Sequence, residues 1–187
     1  MSFSKAMIQV KRSEGGYVCD PDDPGGETYC GVSRRFFPRW NGWKEIDRLK
    51  KAIGPIKTNT IFGSNMSLSA DVQNFYLKYF WKKLRCDQIK NPILAEHLFD
   101  CGINLGKKSA VKLFQNCLCT YVKGEAVIVD GLIGKQTIGA LDRMPSEFVN
   151  YLVQYRIGVY FQKCYKKPVK FKYLRGWCLR SLKYLDK

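Results

Sequence analysis

Helical spacing marks the segment FSKAMIQVKRSEGGY, residues 3–17. Within it, Phe3, Met7, Val10 and Glu14 follow one another at helical intervals, so these side chains share one face of a helix. The first three are apolar, and the acid is followed at once by two glycines. Burial at the end of an apolar stripe raises the pKa of a carboxyl group, and the negative end of the helix dipole acts in the same direction. The pattern therefore predicts a helix that ends on a proton donor.

Helical periodicity continues through most of the remaining chain, and alternating strand patterns are scarce. We expect helices near residues 3–14, 44–52, 67–80, 92–105, 110–118, 134–142, 146–159 and 171–185. Glycine and proline interrupt residues 17–43, which are expected to form loops, and residues 126–129 are the one strand candidate. The predicted fold class is all-α, with a catalytic lobe at 1–90 and a helical second lobe at 91–187.

The chain carries 32 lysines and arginines against 16 acids, a formal net charge of +16 over 187 residues. Such an excess favours a polyanionic partner such as nucleic acid, an anionic membrane face or an anionic polymer, although it also serves solubility. No DNA- or RNA-binding motif is present, so no specific nucleic-acid partner is expected. From Lys163 onward, basic and aromatic residues interleave. We expect these aromatic side chains to lie in the core. The alternative is that they bind a polyanion by stacking, together with the neighbouring positive charges.

Other classes of protein are disfavoured by simple patterns. Residues 1–16 contain no long apolar segment and no cleavage-site pattern, so no signal peptide is expected. No stretch approaches about 18 consecutive apolar residues, so no transmembrane segment is expected. The eight cysteines form no CxxC pair, and His97 is the only histidine. We therefore expect no metal site and no cofactor, and most cysteines should be small buried hydrophobes.

Five carboxylates lie within residues 14–27, a segment that is also rich in glycine and proline. Cleavage of a glycosidic bond needs an acid that protonates the leaving oxygen and usually a second carboxylate that activates water or stabilises the cationic transition state. Glu14 suits the first role. The candidates for the second role are Asp20, Asp22, Asp23 and Glu27. Asx-turns beside the prolines are the stronger interpretation of the first two. A calcium loop is a further alternative, but the EF-hand spacing is absent.

This segment resembles the signature of glycoside hydrolase family 108, the N-acetylmuramidases of phage endolysin type. The resemblance rests on EGGY at 14–17, DPGGET at 23–28 and GV at 31–32. It continues in order through YFW at 79–81, LFD at 98–100, NLG at 104–106, LFQ at 113–115, DGLIG at 130–134 and GW at 176–177.

The resemblance implies a lysozyme-like helical fold for the first lobe and a peptidoglycan-binding helical module for the second. It implies hydrolysis of the β-1,4 bond between N-acetylmuramic acid and N-acetylglucosamine, with Glu14 as the catalytic acid. The resemblance assigns no second carboxylate, and Asp23 and Glu27 are the candidates that we carry forward from the acidic segment. The expected substrate contacts are Tyr17, Thr28, Tyr29, Asp100 and Asn104. The expected partners are peptidoglycan glycan strands and anionic envelope polymers. We expect a monomer, made in the cytoplasm, that acts on the cell wall or periplasm after release.

Asp100 and Asn104 share a helix face with His97. Structural hydrogen bonding is the main interpretation of Asp100 and Asn104, and substrate contact is the alternative. We expect His97 to be partly exposed.

Two cysteines depart from the pattern of the family. It usually has asparagine where Cys19 stands and an Asn-Tyr pair where Tyr29-Cys30 stands. We hypothesise a disulfide between Cys19 and Cys30, with two unpaired thiols as an equally good alternative.

Three other functions stay open from the sequence. A lytic transglycosylase would use one glutamate and let the sugar's own hydroxyl attack, which leaves an anhydro end. A wall-binding or secretion-assisting protein would keep the fold without the reaction. A nucleic-acid binder is suggested only by charge and by the aromatic residues of the tail.

Overall fold

The computed structural model of the protein describes residues 3–13, 15–19, 26–122, 124 and 127–185. This part of the chain is mostly helical, with one small sheet, which confirms the predicted fold class. The chain divides into two compact units, Ser2–Trp81 and Lys82–Lys187, called here the N-terminal and C-terminal units. The sequence predicts the boundary between the lobes later in the chain, at residue 90.

The helices lie close to their predicted positions. In the N-terminal unit they are α1 (Phe3–Ser13), α2 (Gly42–Ile53) and α3 (Met66–Tyr76), and one π-helical turn follows at Leu77–Trp81. In the C-terminal unit they are α4 (Pro92–Leu105), α5 (Lys107–Tyr121), α6 (Lys135–Asp142), α7 (Phe148–Lys166) and α8 (Phe171–Leu182), with short 3-10 turns at Cys86–Gln88 and Pro168–Lys170. The strand predicted at 126–129 is wrong for the described residues 127–129, which have no regular structure.

The core of the N-terminal unit forms around α1 and α3. Helix α1 buries Met7 and Val10, as its apolar stripe predicted. The ring of Phe3 meets that of Trp81 edge-on, with centroids 5.7 Å apart. Trp43 and Trp81 are both buried, so these two tryptophans belong to the core.

A three-stranded antiparallel sheet occupies part of the region predicted as loop. Its strands are β1 (Tyr17–Val18), β2 (Thr28–Tyr29) and β3 (Val32–Ser33). In the sheet, Tyr17 lies opposite Tyr29 and Thr28 lies opposite Ser33. Strands of two residues are too short to show an alternating pattern, which is why the sequence did not reveal them.

Helix α4 is the central element of the C-terminal unit, because every residue from Leu94 to Gly102 is buried. Gly102 permits this packing, since a Cβ atom there would lie 2.5 Å from Cδ1 of Leu84. The predicted partial exposure of His97 is wrong. Its side chain is fully buried, and its ring stacks on Tyr184 with centroids 4.3 Å apart. The middle of α4, from Leu94 to Gly102, is therefore covered on all sides.

A buried glutamine organises the turn that precedes α6. Gln115 donates from Nε2 to Oδ1 of Asp130 at 2.9 Å and to the hydroxyl of Thr137 at 3.3 Å. Its Oε1 accepts from the backbone N–H of Gly131 at 2.9 Å. Through these hydrogen bonds, Asp130 and Gly131 of the DGLIG segment and Gln115 before it have a structural role.

The aromatic side chains of the tail divide between surface and interior. Tyr184 is buried, as predicted, but Tyr165, Phe171 and Tyr173 are exposed. The prediction that the tail aromatics lie in the core is therefore wrong for these three. No helix in the described ranges is long and apolar enough to cross a membrane.

Candidate active site

The candidate site lies in the N-terminal unit, where α1 leads into the sheet. Glu14 and Asp23, two of the three predicted catalytic carboxylates, lie outside the described residues, as do Asp20 and Asp22. In the sequence, Glu14 stands between the last residue of α1 and Gly15. The structure therefore describes the chain before and after Glu14, and these residues locate the candidate site.

The backbone directly after Glu14 packs closely against a second segment of the unit. A Cβ atom placed on Gly16 would lie 2.5 Å from the carbonyl oxygens of both Asn59 and Thr60, so only glycine fits there. Tyr17 donates its backbone N–H to the Thr60 carbonyl at 2.9 Å, and its own carbonyl accepts from Asn59 N–H at 2.7 Å. Strand β1 is consequently held by β2 on one edge and by residues 59–60 on the other.

Asn59 supplies this contact from an unusual backbone conformation. Its φ is +65°, in the left-handed region that asparagine tolerates better than most residues. In the sequence, the segment between α2 and α3 that contains Asn59 has the composition of a turn. That composition did not indicate that the segment contacts the residues that follow Glu14.

Glu27 is the one predicted catalytic carboxylate that the structure describes. Its Oε1 accepts from the Tyr17 hydroxyl at 3.0 Å and is paired with the Lys50 ammonium group. Its Oε2 lies 2.7 Å from Nε of Arg34. Two cations and one phenol therefore surround the carboxylate, which ties the start of β2 to α2.

The surroundings of Glu27 shift the acid–base properties of its partners. Burial, followed by the hydrogen bond to the Glu27 carboxylate, raises the pKa of Tyr17 to about 12, although Lys50 acts the other way. Burial lowers the pKa of Lys50, but hydrogen bonds to Glu27 and Tyr17 outweigh it and leave that pKa raised. Tyr17 thus stays a neutral phenol and Lys50 a cation at neutral pH.

Arg34 links this group to the middle of α2. Its two terminal nitrogens donate to Asp47 at 2.6 and 3.1 Å, in the forked geometry of a bidentate pair. The guanidinium lies 4.5 Å from the ring centre of Trp43. Hydrogen bonding to Arg34 lowers the pKa of Asp47. Sequence reasoning missed Asp47 and Lys50, because their spacing along α2 looks like that of any solvated helix face. It missed Arg34 because that residue follows β3 in a region predicted to be loop.

Two predicted substrate contacts, Thr28 and Tyr29, lie on β2. Tyr29 is buried, and its hydroxyl accepts from the backbone N–H of Phe62 at 3.1 Å. Its ring stacks on Trp40, with centroids 6.4 Å apart and planes at 20°. Tyr29 and Phe62 line a cavity of about 160 Å³. The Thr28 hydroxyl donates to the Gly26 carbonyl at 3.1 Å.

The hypothesis of a disulfide between Cys19 and Cys30 is wrong for this structure. Both are thiols, one exposed and the other half-buried. The pairing of Tyr17 with Tyr29 places Cys30 opposite Gly16, where its N–H donates to the Gly16 carbonyl at 3.2 Å. Cys19 is three residues further along the strand, which is roughly 10 Å at the rise of a β-strand. A disulfide requires Cα atoms within about 7 Å, so the register keeps the two apart.

Asp100 and Asn104, the remaining predicted contacts, belong to a buried network of the C-terminal unit. Asp100 accepts from Nη2 of Arg156 at 2.7 Å and from Nε of Arg180 at 2.6 Å. The Tyr160 hydroxyl donates to Oδ1 of Asn104 at 2.8 Å and accepts from Nε of Arg156 at 2.6 Å. This arrangement is that of a structural network joining α4, α7 and α8.

The described residues contain no cluster of three or more histidine, cysteine, aspartate or glutamate side chains suited to a metal ion. The chemical groups that the site presents are therefore carboxylates, phenols and cations. Such groups suit proton transfer and the binding of sugar hydroxyls.

Comparison with known proteins agrees with this arrangement. The model of the family described as glycosyl hydrolase 108 matches residues 7–106, more than half of the chain, and a predicted peptidoglycan domain matches residues 109–182. No curated protein matches the sequence. Among solved structures, Brucella abortus SagA is similar, with 23% identity, a TM-score of 0.59, and coverage of 99% of this chain and 96% of that one. At that identity the likeness concerns the fold. The two family matches show that the chain belongs to the glycosyl hydrolase 108 family and is a peptidoglycan hydrolase.

Proposed function

We propose that the protein hydrolyses the β-1,4 bond between N-acetylmuramic acid and N-acetylglucosamine, with Glu14 as the general acid. In this mechanism Glu14 protonates the bridging oxygen while positive charge develops on the sugar, and water then attacks the anomeric carbon. The match to the glycosyl hydrolase family supports the proposal, since it extends from Met7 in α1 through the whole of the sheet.

The observation that carries the proposal is the close packing at Gly16. The chain leaves α1, passes Glu14, and two residues later runs against the carbonyl groups of Asn59 and Thr60 at a distance that excludes any side chain. Before Glu14, Met7 and Val10 anchor α1 in the core. A general acid needs a fixed position relative to the scissile bond, and the chain is anchored at Val10 before Glu14 and at Gly16 after it.

Asp23 and Glu27 remain the candidates for a second carboxylate, and the surroundings of Glu27 bear on its task. Glu27 is held by Lys50, Arg34 and Tyr17, which suits a residue that positions the β1–β2 hairpin or stabilises charge. A base that activates water needs an oxygen that can contact that water. We therefore rank Asp23 first for that role, and comparison of Asp23→Asn with Glu27→Gln separates the two.

The decisive experiment is product analysis on purified peptidoglycan sacculi, with wild type beside Glu14→Gln. We expect wild type to release fragments with reducing N-acetylmuramic acid ends. The Glu14→Gln protein should stay folded and lose at least about a hundredfold in rate, the usual contribution of a general acid. Glu147→Gln, at an exposed glutamate outside the site, serves as the matched control.

Two results would contradict the proposal. Lysis by Glu14→Gln at the wild-type rate would remove Glu14 from the acid role. Fragments with anhydro ends would identify a lytic transglycosylase, in which the sugar's own hydroxyl replaces water as the nucleophile.

A further inference from the structure

The corner where α7 meets α8 exposes an unusual number of large apolar side chains. They are Phe161, Tyr165, Val169, Phe171, Leu179 and Leu182, called here the α7–α8 patch. Tyr165 is 77% exposed and Val169 is 71% exposed. The rings of Tyr165 and Phe171 meet edge-on with centroids 6.1 Å apart, so the end of α7 and the start of α8 form one continuous surface.

Helix α8 carries apolar side chains on an inward face and on an outward face, and its members of the patch lie on the outward face. Ser181 is buried, and Trp177 on the same inward face is half-buried with its ring centroid 5.2 Å from that of Tyr160. Phe171, Leu179 and Leu182 follow at intervals of eight and three residues, which place them together on the opposite face. The helix therefore has two apolar faces, and the C-terminal unit uses only one of them.

The same segment carries strong positive charge. Residues 148–185 contain no aspartate or glutamate. They contain nine cations, of which Arg156 and Arg180 are paired with Asp100. The other seven are Lys163, Lys166, Lys167, Lys170, Lys172, Arg175 and Lys183. Burial and then the charge of Lys170 lower the pKa of Lys163, which shows how closely the positive charges are placed. An anionic surface would relieve this repulsion.

We propose that the α7–α8 patch docks the protein onto the surface of an anionic phospholipid bilayer. Aromatic and aliphatic side chains would enter the boundary between headgroups and acyl chains, while the surrounding lysines contact lipid phosphates. The helices are amphipathic and none of the described ones is long and apolar enough to span a bilayer, so the protein lies on the membrane.

The aliphatic members of the patch decide between a bilayer and a soluble polyanion. Nucleic acids and glycans use aromatic rings for stacking and cations for charge, but they gain little from exposed Val169, Leu179 and Leu182. Acyl chains do gain from them, since burial of apolar surface drives partition into a bilayer. The combination of positive charge and exposed apolar surface therefore matches a lipid surface better than it matches a nucleic acid or a glycan.

The test measures binding of the full-length protein to vesicles of phosphatidylglycerol mixed with phosphatidylethanolamine, and to vesicles of phosphatidylcholine alone. We expect wild type to bind the anionic vesicles at least about tenfold more tightly. The variant Tyr165→Ser/Phe171→Ser and the variant Lys166→Gln/Lys167→Gln/Lys172→Gln should each lose at least about tenfold in affinity for anionic vesicles. Ile128→Ser/Leu132→Ser, which removes two other exposed apolar residues of the same unit, should bind as wild type does.

Circular dichroism confirms that each variant is folded, and Glu14→Gln should bind vesicles normally, because docking is independent of the reaction. Equal binding to both vesicle types would overturn the proposal. So would unchanged vesicle binding by the aromatic variant combined with weaker binding to peptidoglycan or DNA. Concentration-dependent dimers that the aromatic variant abolishes, without vesicle binding by wild type, would assign the patch to a second copy of the chain instead.

Discussion

Arg156 on α7 donates from Nη2 to Oδ2 of Asp100 on α4 at 2.7 Å, and the Arg156 side chain has no solvent exposure. The second oxygen of Asp100 receives Nε of Arg180 from α8. One carboxylate thus compensates the charge of two arginines between three helices. A buried group of this kind adds little stability compared with apolar packing, but removal of one member leaves an uncompensated charge.

Asp100→Asn should therefore destabilise the C-terminal unit by about 3–5 kcal/mol, because two guanidinium groups lose their counter-charge. Urea unfolding of the full chain measures the effect. Asp87→Asn breaks the exposed pair with Lys82, 2.9 Å long, and should cost less than about 1 kcal/mol. If Asp100→Asn leaves stability unchanged but weakens hydrolysis, Asp100 is a substrate contact and the structural assignment fails.

A second prediction concerns the residue that fixes the backbone after Glu14. Gly16→Ala would place a methyl group 2.5 Å from the carbonyl oxygens of Asn59 and Thr60, so the two segments must separate. We expect a loss of about 1–3 kcal/mol in stability and a larger fractional loss of hydrolysis, because β1 moves relative to residues 59–60. Gly158→Ala, at an exposed position within α7 with open space around it, should instead stabilise by about 0.5–1 kcal/mol. Full activity of Gly16→Ala would show that this contact does not position the site.

The sequence predicted the long helices because their apolar spacing is a local property that survives without knowledge of the fold. Met7 and Val10 on α1 are buried as expected. The contact of Gly16 with Asn59 and Thr60 was not predictable in this way, since nothing in either segment identifies the other. The same holds for Glu27 and Lys50, which are 23 residues apart.

The errors at the surface have a related physical cause. Helical spacing showed that the tail could form an amphipathic helix, but spacing does not tell whether a second apolar face has a partner. Tyr165 and Phe171 are therefore exposed although apolar periodicity suggested a core position. His97 shows the opposite error, because it lies in the part of α4 that is covered on all sides. Burial depends on which elements pack together, and that is a property of the whole unit.

The pair between Arg34 and Asp47 predicts a dependence of stability on pH. Hydrogen bonding to Arg34 lowers the pKa of Asp47 in the folded state below its value in the unfolded chain. The stabilisation is therefore present above the unfolded pKa, about 3.9, and is lost as the pH falls through the folded pKa. The urea midpoint of Asp47→Asn should fall less between pH 6 and pH 3 than that of wild type. In an Arg34→Gln background the same substitution should leave the pH dependence unchanged, and a change there would assign the effect to another partner.

The turn between β2 and β3 offers a stabilising substitution. It consists of Cys30 and Gly31, with φ values of +45° and +78°, as in the two-residue turns that favour asparagine followed by glycine. Asparagine tolerates the left-handed conformation better than cysteine does, so Cys30→Asn should stabilise the protein by about 0.5–1 kcal/mol. The Cys30 carbonyl, which accepts from the Tyr76 hydroxyl at 2.9 Å, is retained in the variant.

Urea unfolding measures the gain, and Cys19→Asn, at an exposed position, should change stability by less than about 0.5 kcal/mol. A loss of stability in Cys30→Asn would mean that contact between the Cys30 thiol and Tyr29 outweighs the preference of the turn.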